Sequence, residues 1–278
     1  MMLFTRARIY RIWKIMTAKN ICLGVFVFLC VLTSPEAGAE AYDWRVSASA
    51  NFETGKYGTD SRTDTLYMPV TVKRYFLNDG DLSVTIPYIS QTSSSEVTTI
   101  DGTVFQIKRA PGPPVTSSGV GDLVLRGSYY LLSESRTVPF DLKLTAKIKV
   151  PTADDSRGLG TGEFDTGVGL EFAKTLPSGF TGYLDIYYTA IGDPPGFDLE
   201  DRVSFDAGFS RRLAPKWTMS AFYEESTPLL KSNANLRNFL VSFEFKADSR
   251  TRVFFGATLG LTDTSPDYGL SAGASFLL

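Results

Sequence analysis

Tyr42-Asp43-Trp44-Arg45-Val46-Ser47-Ala48-Ser49-Ala50-Asn51-Phe52-Glu53 decides the fold class. Its even positions are apolar without exception, and its odd positions are charged or small and polar. A period of two is the signature of a β-strand whose two faces meet unlike surroundings. A helix would bring residues three and four apart onto one side, and here that mixes the two sets.

The same alternation recurs down the chain. Val138, Phe140, Leu142, Leu144, Ala146, Ile148 and Val150 interleave with Asp141, Lys143, Thr145, Lys147 and Lys149. Further runs around Val168 to Phe172, Val203 to Phe209 and Tyr268 to Leu278 behave alike. Together these runs predict about twelve strands, at 41–53, 65–76, 81–90, 121–132, 137–150, 162–174, 180–190, 202–211, 216–225, 236–246, 251–262 and 267–278. Most are long enough to cross a bilayer when tilted. No helical periodicity and no composition shift marks a second domain.

Alternation does not by itself say which face is inside. A soluble sandwich hides the apolar face, whereas a membrane barrel turns it to lipid. Three features favour the barrel. Short connections (Asn78 to Gly80, Ser133 to Arg136, Leu176 to Gly179, Leu213 to Pro215, Ala247 to Ser249) alternate with long ones at 54–64, 91–120, 151–161, 191–201 and 226–235. Trp44, Phe52, Tyr88, Phe164, Phe172, Phe180, Tyr188 and Trp217 sit near strand ends on the apolar side, as interfacial girdles require. The polar face combines charges with many glycines and serines. The expected fold is all-β: a transmembrane antiparallel up-and-down β-barrel of about twelve strands in the bacterial outer membrane, with short periplasmic turns and longer extracellular loops. An even count lets the last strand close on the first and leaves no edge.

The start of the chain reads as an address. Arg6, Arg8, Arg11, Lys14 and Lys19 precede an apolar run from Ile21 to Leu32, and Ala37-Gly38-Ala39 supplies a cleavage site. Residues 1–39 are therefore expected to be a cleaved signal peptide, with 40–278 the barrel. Taking five basic residues and one acidic residue off totals of 28 and 30 leaves 23 and 29, a net charge near −6. Both cysteines, Cys22 and Cys30, fall in the leader, and histidine is absent. That composition excludes a disulfide framework, a thiolate metal site, and catalysis through a cysteine or a histidine. The acidic balance argues against nucleic acid as a partner.

Gly119-Val120-Gly121-Asp122-Leu123-Val124-Leu125-Arg126-Gly127-Ser128-Tyr129-Tyr130 is followed by Lys149-Val150-Pro151-Thr152, then Leu159-Gly160-Thr161-Gly162 and Asp165-Thr166-Gly167. In this order and spacing the motifs resemble the outer-membrane transporter family named for the MetA pathway of phenol degradation, most clearly over residues 119–172. The resemblance implies an outer-membrane barrel linked to uptake of aromatic or other apolar compounds. Its implied partners are outer-membrane lipids, the outer-membrane assembly machinery and small-molecule solutes. One departure is the C-terminal Phe276-Leu277-Leu278, where such barrels usually end in an aromatic residue.

The candidate site is a set of charges on the polar face. In an antiparallel pair, opposed residue numbers have a constant sum. Lys149 with Asp165 and Lys143 with Glu171 both give 314, so one register makes both pairs. A sum of 271 with the preceding strand sets Asp122 across from Lys149. Arg45, Arg126, Lys147, Asp185, Asp206 and Glu224 fall on the same side, as do Tyr67, Tyr75, Tyr130, Tyr183 and Tyr187. This set is expected to line the lumen, either neutralising itself to stiffen the wall or setting a field across a solute path.

Gly158 to Gly162 lacks the Lys-Ser/Thr of a phosphate loop and is expected to be a flexible rim loop. The acidic stretch Asp193 to Asp201 has no EF-hand spacing. Segment 91–120 folds either into the lumen or outward as a surface hairpin. No catalytic, cofactor or metal site is expected. The leading function is passive transport of small solutes, aromatic or apolar ones among them. The alternative is a structural or adhesion-type outer-membrane barrel acting through its extracellular loops.

Overall fold

A computed structural model describes residues 44–59, 61–76, 79–94, 96–100, 103–108 and 113–278. The leader and its cleavage site lie outside the described residues. The strands are β1 Trp44–Gly55, β2 Thr63–Phe76, β3 Gly80–Ser93, β4 Glu96–Ile100, β5 Thr103–Lys108, β6 Val115–Val120, β7 Leu123–Leu132, β8 Asp141–Val150, β9 Asp165–Thr175, β10 Phe180–Ala190, β11 Arg202–Ala214, β12 Trp217–Ser226, β13 Leu236–Lys246, β14 Thr251–Gly260 and β15 Tyr268–Leu277.

Neighbours in sequence pair antiparallel from β7 round to β15, β15 pairs with β1, β1 with β2, and β2 with β3. The ring closes where β3 pairs with β7 along its first half and with β6 along its second. β6 and β7 therefore form one broken stave, and the barrel has twelve. Antiparallel closure leaves the seam strands no open edge: Val46 faces Phe276 and Ala48 faces Ala274 across it. Beyond the paired residues, Trp44 and Leu278 exchange both backbone hydrogen bonds, at 3.0 and 2.7 Å.

The alternation sorts as a membrane barrel requires. Val70, Val84, Ile86, Val168, Leu184, Ile186 and Leu270 are all exposed. Among the described residues the most deeply buried side chains are mainly polar: Thr63, Thr65, Thr145, Lys149, Asp165 and Ser265, beside Ile89 and Leu159. A water-soluble sandwich shows the reverse distribution. Only lipid gives the outward Val, Leu and Ile positions a low-energy environment.

The strands depart from expectation at identifiable places. β3 runs on to Ser93, and a separate hairpin, β4–β5, stands on the long-loop side. Segment 91–120 thus contains a hairpin, whose Thr98 hydroxyl bonds Gly160 O of the long loop 151–164. The stave expected at 121–132 is broken at Gly121 and Asp122, whose backbone leaves the ladder; Gly121 instead donates to Pro87 O at 2.8 Å. The strand expected from 137 starts at Asp141. Residues before it make a turn, with Ser135 N–H on Val138 O and the Asp141 carboxylate accepting the Glu134 amide at 2.6 Å. Pro139 has no N–H to give a ladder. The strand expected from 162 starts at Asp165, because Gly162 takes a left-handed φ of 74°.

Candidate functional site

β8 presents Lys143, Thr145, Lys147 and Lys149 to the interior because alternate residues share a face. β8 and β9 pair with Lys149 opposite Asp165 and Lys143 opposite Glu171, the register of sum 314. The Lys143 ammonium lies 2.6 Å from the Glu171 carboxylate. That carboxylate also accepts hydrogen bonds from Thr145 at 2.7 Å and Tyr187 at 2.8 Å.

The sum of 271 is not observed. Val124 stands opposite Lys149, a shift of two residues. Asp122 lies in the break before β7, and its side chain reaches Lys149 diagonally instead. Lys149 Nζ is 3.1 Å from Asp122 Oδ2, 3.1 Å from Asp165 Oδ2 and 2.7 Å from the Thr161 hydroxyl. All three charged side chains are almost inaccessible: Lys149 is 1% exposed, Asp122 6% and Asp165 0%. A lone buried ammonium costs several kcal/mol, and two carboxylates with a hydroxyl offset that cost.

This buried trio clasps the long loop 151–164. Asp122 accepts the amides of Thr152 and Ala153, both at 3.0 Å. Asp165 accepts the amide of Gly192 at 2.9 Å, tying in loop 191–201. Gln91 donates to Gly158 O and Thr98 to Gly160 O, each at 2.9 Å, so β3 and the β4 hairpin grip the same loop. A Cβ at Gly160 would meet the Asp122 carboxylate at 2.5 Å, and one at Gly119 would meet Leu159 at 2.8 Å. The glycine-rich stretch is thus a packed clasp where a flexible loop was expected. No rule of local sequence would have coupled Thr161 to Lys149.

The remaining charges fall into two groups. Glu171, Asp185, Asp206 and Glu224 are direct cross-strand partners in succession from β9 to β12, with Asn238 next on β13. This acidic row slants across the inner wall. On the other side Arg45 lies over the Tyr75 ring at 5.3 Å, and Lys73 pairs with Asp81 at 3.0 Å. Arg126 stands opposite Lys147 and lies over the Tyr187 ring at 5.7 Å. Lys73 and Asp81 were missed in the sequence, although their parity on β2 and β3 marks them as inward.

Three inward rings sit opposite glycines. Tyr187 faces Gly169, Phe222 faces Gly208, and Phe254 faces Gly273. A Cβ at any of these glycines would overlap the ring opposite. Each ring therefore leans back over the neighbouring strand, occupying space that a side chain would otherwise take. Tyr183, also opposite Gly208, packs against Phe222 with centroids 5.6 Å apart.

The acidic stretch 193–201 is used to shape its loop. Asp193 accepts the Leu199 amide at 2.8 Å, Asp201 accepts the Ile191 amide at 3.1 Å, and Glu200 pairs with Lys231 at 2.8 Å.

Closed, antiparallel, apolar outside and polar within, the chain is a bacterial outer-membrane β-barrel. Solved structures with this architecture include the COG4313 outer membrane channel from Pseudomonas putida F1, with a TM-score of 0.68 at 14% identity over 88% of this chain and 100% of that one. The NanC porin gives 0.55 at 8% identity, covering 83% and 98% of the two chains. The KdgM porin gives 0.52 at 8%, covering 84% and 98%. At these identities the likeness is one of fold. No protein-family model and no curated protein matches the chain.

Proposed function

We propose that this protein is a passive outer-membrane channel for small solutes, with amphipathic aromatic compounds among them. The observation that carries the proposal is the pairing of inward rings with glycines. A wall built only to fill itself would place bulk at Gly169, Gly208 and Gly273 and let Tyr187, Phe222 and Phe254 point to the axis. Here the rings lie against the wall over those glycines, an arrangement that supports a solute path beside aromatic surface. The slanting acidic row and the opposing arginines and lysines add a transverse field that orients a solute carrying charge. The resemblance of residues 119–172 to the MetA-named transporters supports the aromatic preference, and the fold shared with an outer membrane channel and two porins supports transport.

The test is solute-driven swelling of vesicles holding the purified protein. Benzoate should enter faster than a sugar of similar mass, because benzoate offers a ring to the aromatic strip. Absence of entry by any solute, from vesicles in which the barrel is folded, overturns the proposal. That result would favour action through the extracellular loops.

A further inference from the structure

The two rims of the barrel differ in what crowns their outward aromatic rings. On the short-turn rim, beside the outward Tyr129, three Phe and Trp rings have cations over them. The Arg211 guanidinium sits 4.7 Å from the Phe180 centroid, Arg74 5.3 Å from that of Trp44, and the Lys216 ammonium 5.8 Å from that of Phe245. The rings beneath form a packed band: Phe180 meets Phe209 at 5.5 Å, and Trp217 meets Phe245 at 4.9 Å. Three carboxylates of this rim accept backbone amides, and Asp248 also feels the charge of Lys216. Asp248 accepts two amides of its own turn, Asp141 accepts the Glu134 amide, and Glu134 accepts the Thr175 amide.

On the long-loop rim the pattern reverses. The outward rings there include tyrosines whose hydroxyls donate to carboxylates, Tyr188 to Asp201 and Tyr223 to Glu225. The basic residue beside them, Arg237, is bound to Glu225 at 3.0 Å.

We infer that the short-turn rim is a binding surface for the phosphate headgroups of anionic phospholipids, with Arg74, Arg211 and Lys216 as its contacts. A ring at the hydrocarbon boundary with a cation over it places that cation at headgroup depth, where an anionic phosphate is the complementary group. A guanidinium over a ring spends its face on the π-cloud and aims its N–H groups along its own plane, the geometry that forks onto phosphate oxygens. Lys216 gives one hydrogen bond to Ala247 O at 3.1 Å, and an ammonium has three to give. Zwitterionic headgroups offer the same phosphate but carry a compensating ammonium, so the surface distinguishes the two by net charge. The surface would anchor the barrel's depth and bias its orientation toward the phospholipid leaflet, independently of transport.

The two tryptophans of the girdle, Trp44 and Trp217, make the test direct. In a Trp13→Phe background, tryptophan emission reports lipids touching this rim. The protein is placed in phosphatidylcholine vesicles containing either brominated phosphatidylglycerol or brominated phosphatidylcholine, and quenching gives the relative binding constant. The expected preference for phosphatidylglycerol is about two- to fivefold, falling toward unity in high salt. It should vanish in the triple variant Arg74→Gln, Arg211→Gln, Lys216→Gln and persist in Arg237→Gln on the far rim. If the triple variant does not fold, Arg211→Gln alone should lose part of the preference. Equal quenching by both lipids in the parent protein, or an undiminished preference in the triple or single variant, overturns the inference.

Discussion

Lys149 and Asp165 stand directly opposite each other on β8 and β9, their charged atoms 3.1 Å apart and both sealed from water. With Asp122 on the other side, the ammonium sits between two carboxylates that each hold backbone amides of the long loops. The clasp is thus an electrostatic device that fixes loop shape at the rim.

Removing the centre of the clasp should be costly. Lys149→Met leaves two buried carboxylates facing each other, and a loss of about 3–5 kcal/mol is expected. The urea midpoint in detergent measures it. Neutralising the partners as well, with Asp122→Asn and Asp165→Asn, should recover much of the loss. An unchanged midpoint in Lys149→Met would show that the trio does not hold the rim.

Gly160 is closely packed within loop 151–164. A methyl group there collides with the Asp122 carboxylate and with Ala153 Cβ at 2.9 Å. Gly160→Ala should weaken the loop's attachment by about 1–3 kcal/mol. Trypsin cutting after Arg157, inside the loop, should be faster in the variant while the strands stay protected. Equal cutting rates would mean that the loop is held elsewhere.

The lumenal rings offer a coupled test. Gly169→Ala should push the Tyr187 ring off the wall toward the axis and reduce solute flux by roughly half. Adding Tyr187→Ala should restore the flux, since the clash needs both partners. A flux deficit that survives in the double variant would break the link between ring position and passage.

Asp248 sits in the turn between β13 and β14, outside the membrane. Hydrogen bonds from the amides of Arg250 and Thr251, at 2.7 and 2.8 Å, hold its pKa below the ordinary aspartate value of 3.8. A depressed folded pKa gives stability that is present above the unfolded value and is lost as pH falls through the folded one. Asp248→Ala should therefore lower the unfolding midpoint at pH 7, and the gap to the parent should close in strong acid. A gap independent of pH would assign the effect to packing alone.

The staves were legible because a barrel wall separates lipid from a polar interior at every residue, so the period of two survives along each strand. The register of β8 on β9 was legible because Lys143, Lys149, Asp165 and Glu171 allow one sum that pairs both cations. The same arithmetic failed for Asp122, which lies in a break in the stave and is aimed by the amides of Thr152 and Ala153. Opposition rules hold for ladder residues and not for one outside the ladder. The clasp of Thr161 and Gly160 was invisible for a related reason, since both belong to a loop whose path depends on β3, β4 and β7 together. The ring-on-glycine pairs were implicit in the alternation but needed the registers of β9 to β12 and of β14 with β15 to emerge.

A lumen that conducts solutes must carry them past Asp206 on the inner face of β11. Once Cys22 and Cys30 are replaced by Ser the chain carries no other thiol, so Asp206→Cys gives a single reporter on the inner face and Phe205→Cys its neighbour facing lipid. The measurement is single-channel current in a planar bilayer before and after a water-soluble cationic thiol reagent is added. Discrete current steps are predicted, shrinking when the reagent modifies the Asp206→Cys protein and staying unchanged in the Phe205→Cys protein. A folded barrel that carries no current, or an Asp206→Cys protein whose current is unaltered after modification, would contradict the account.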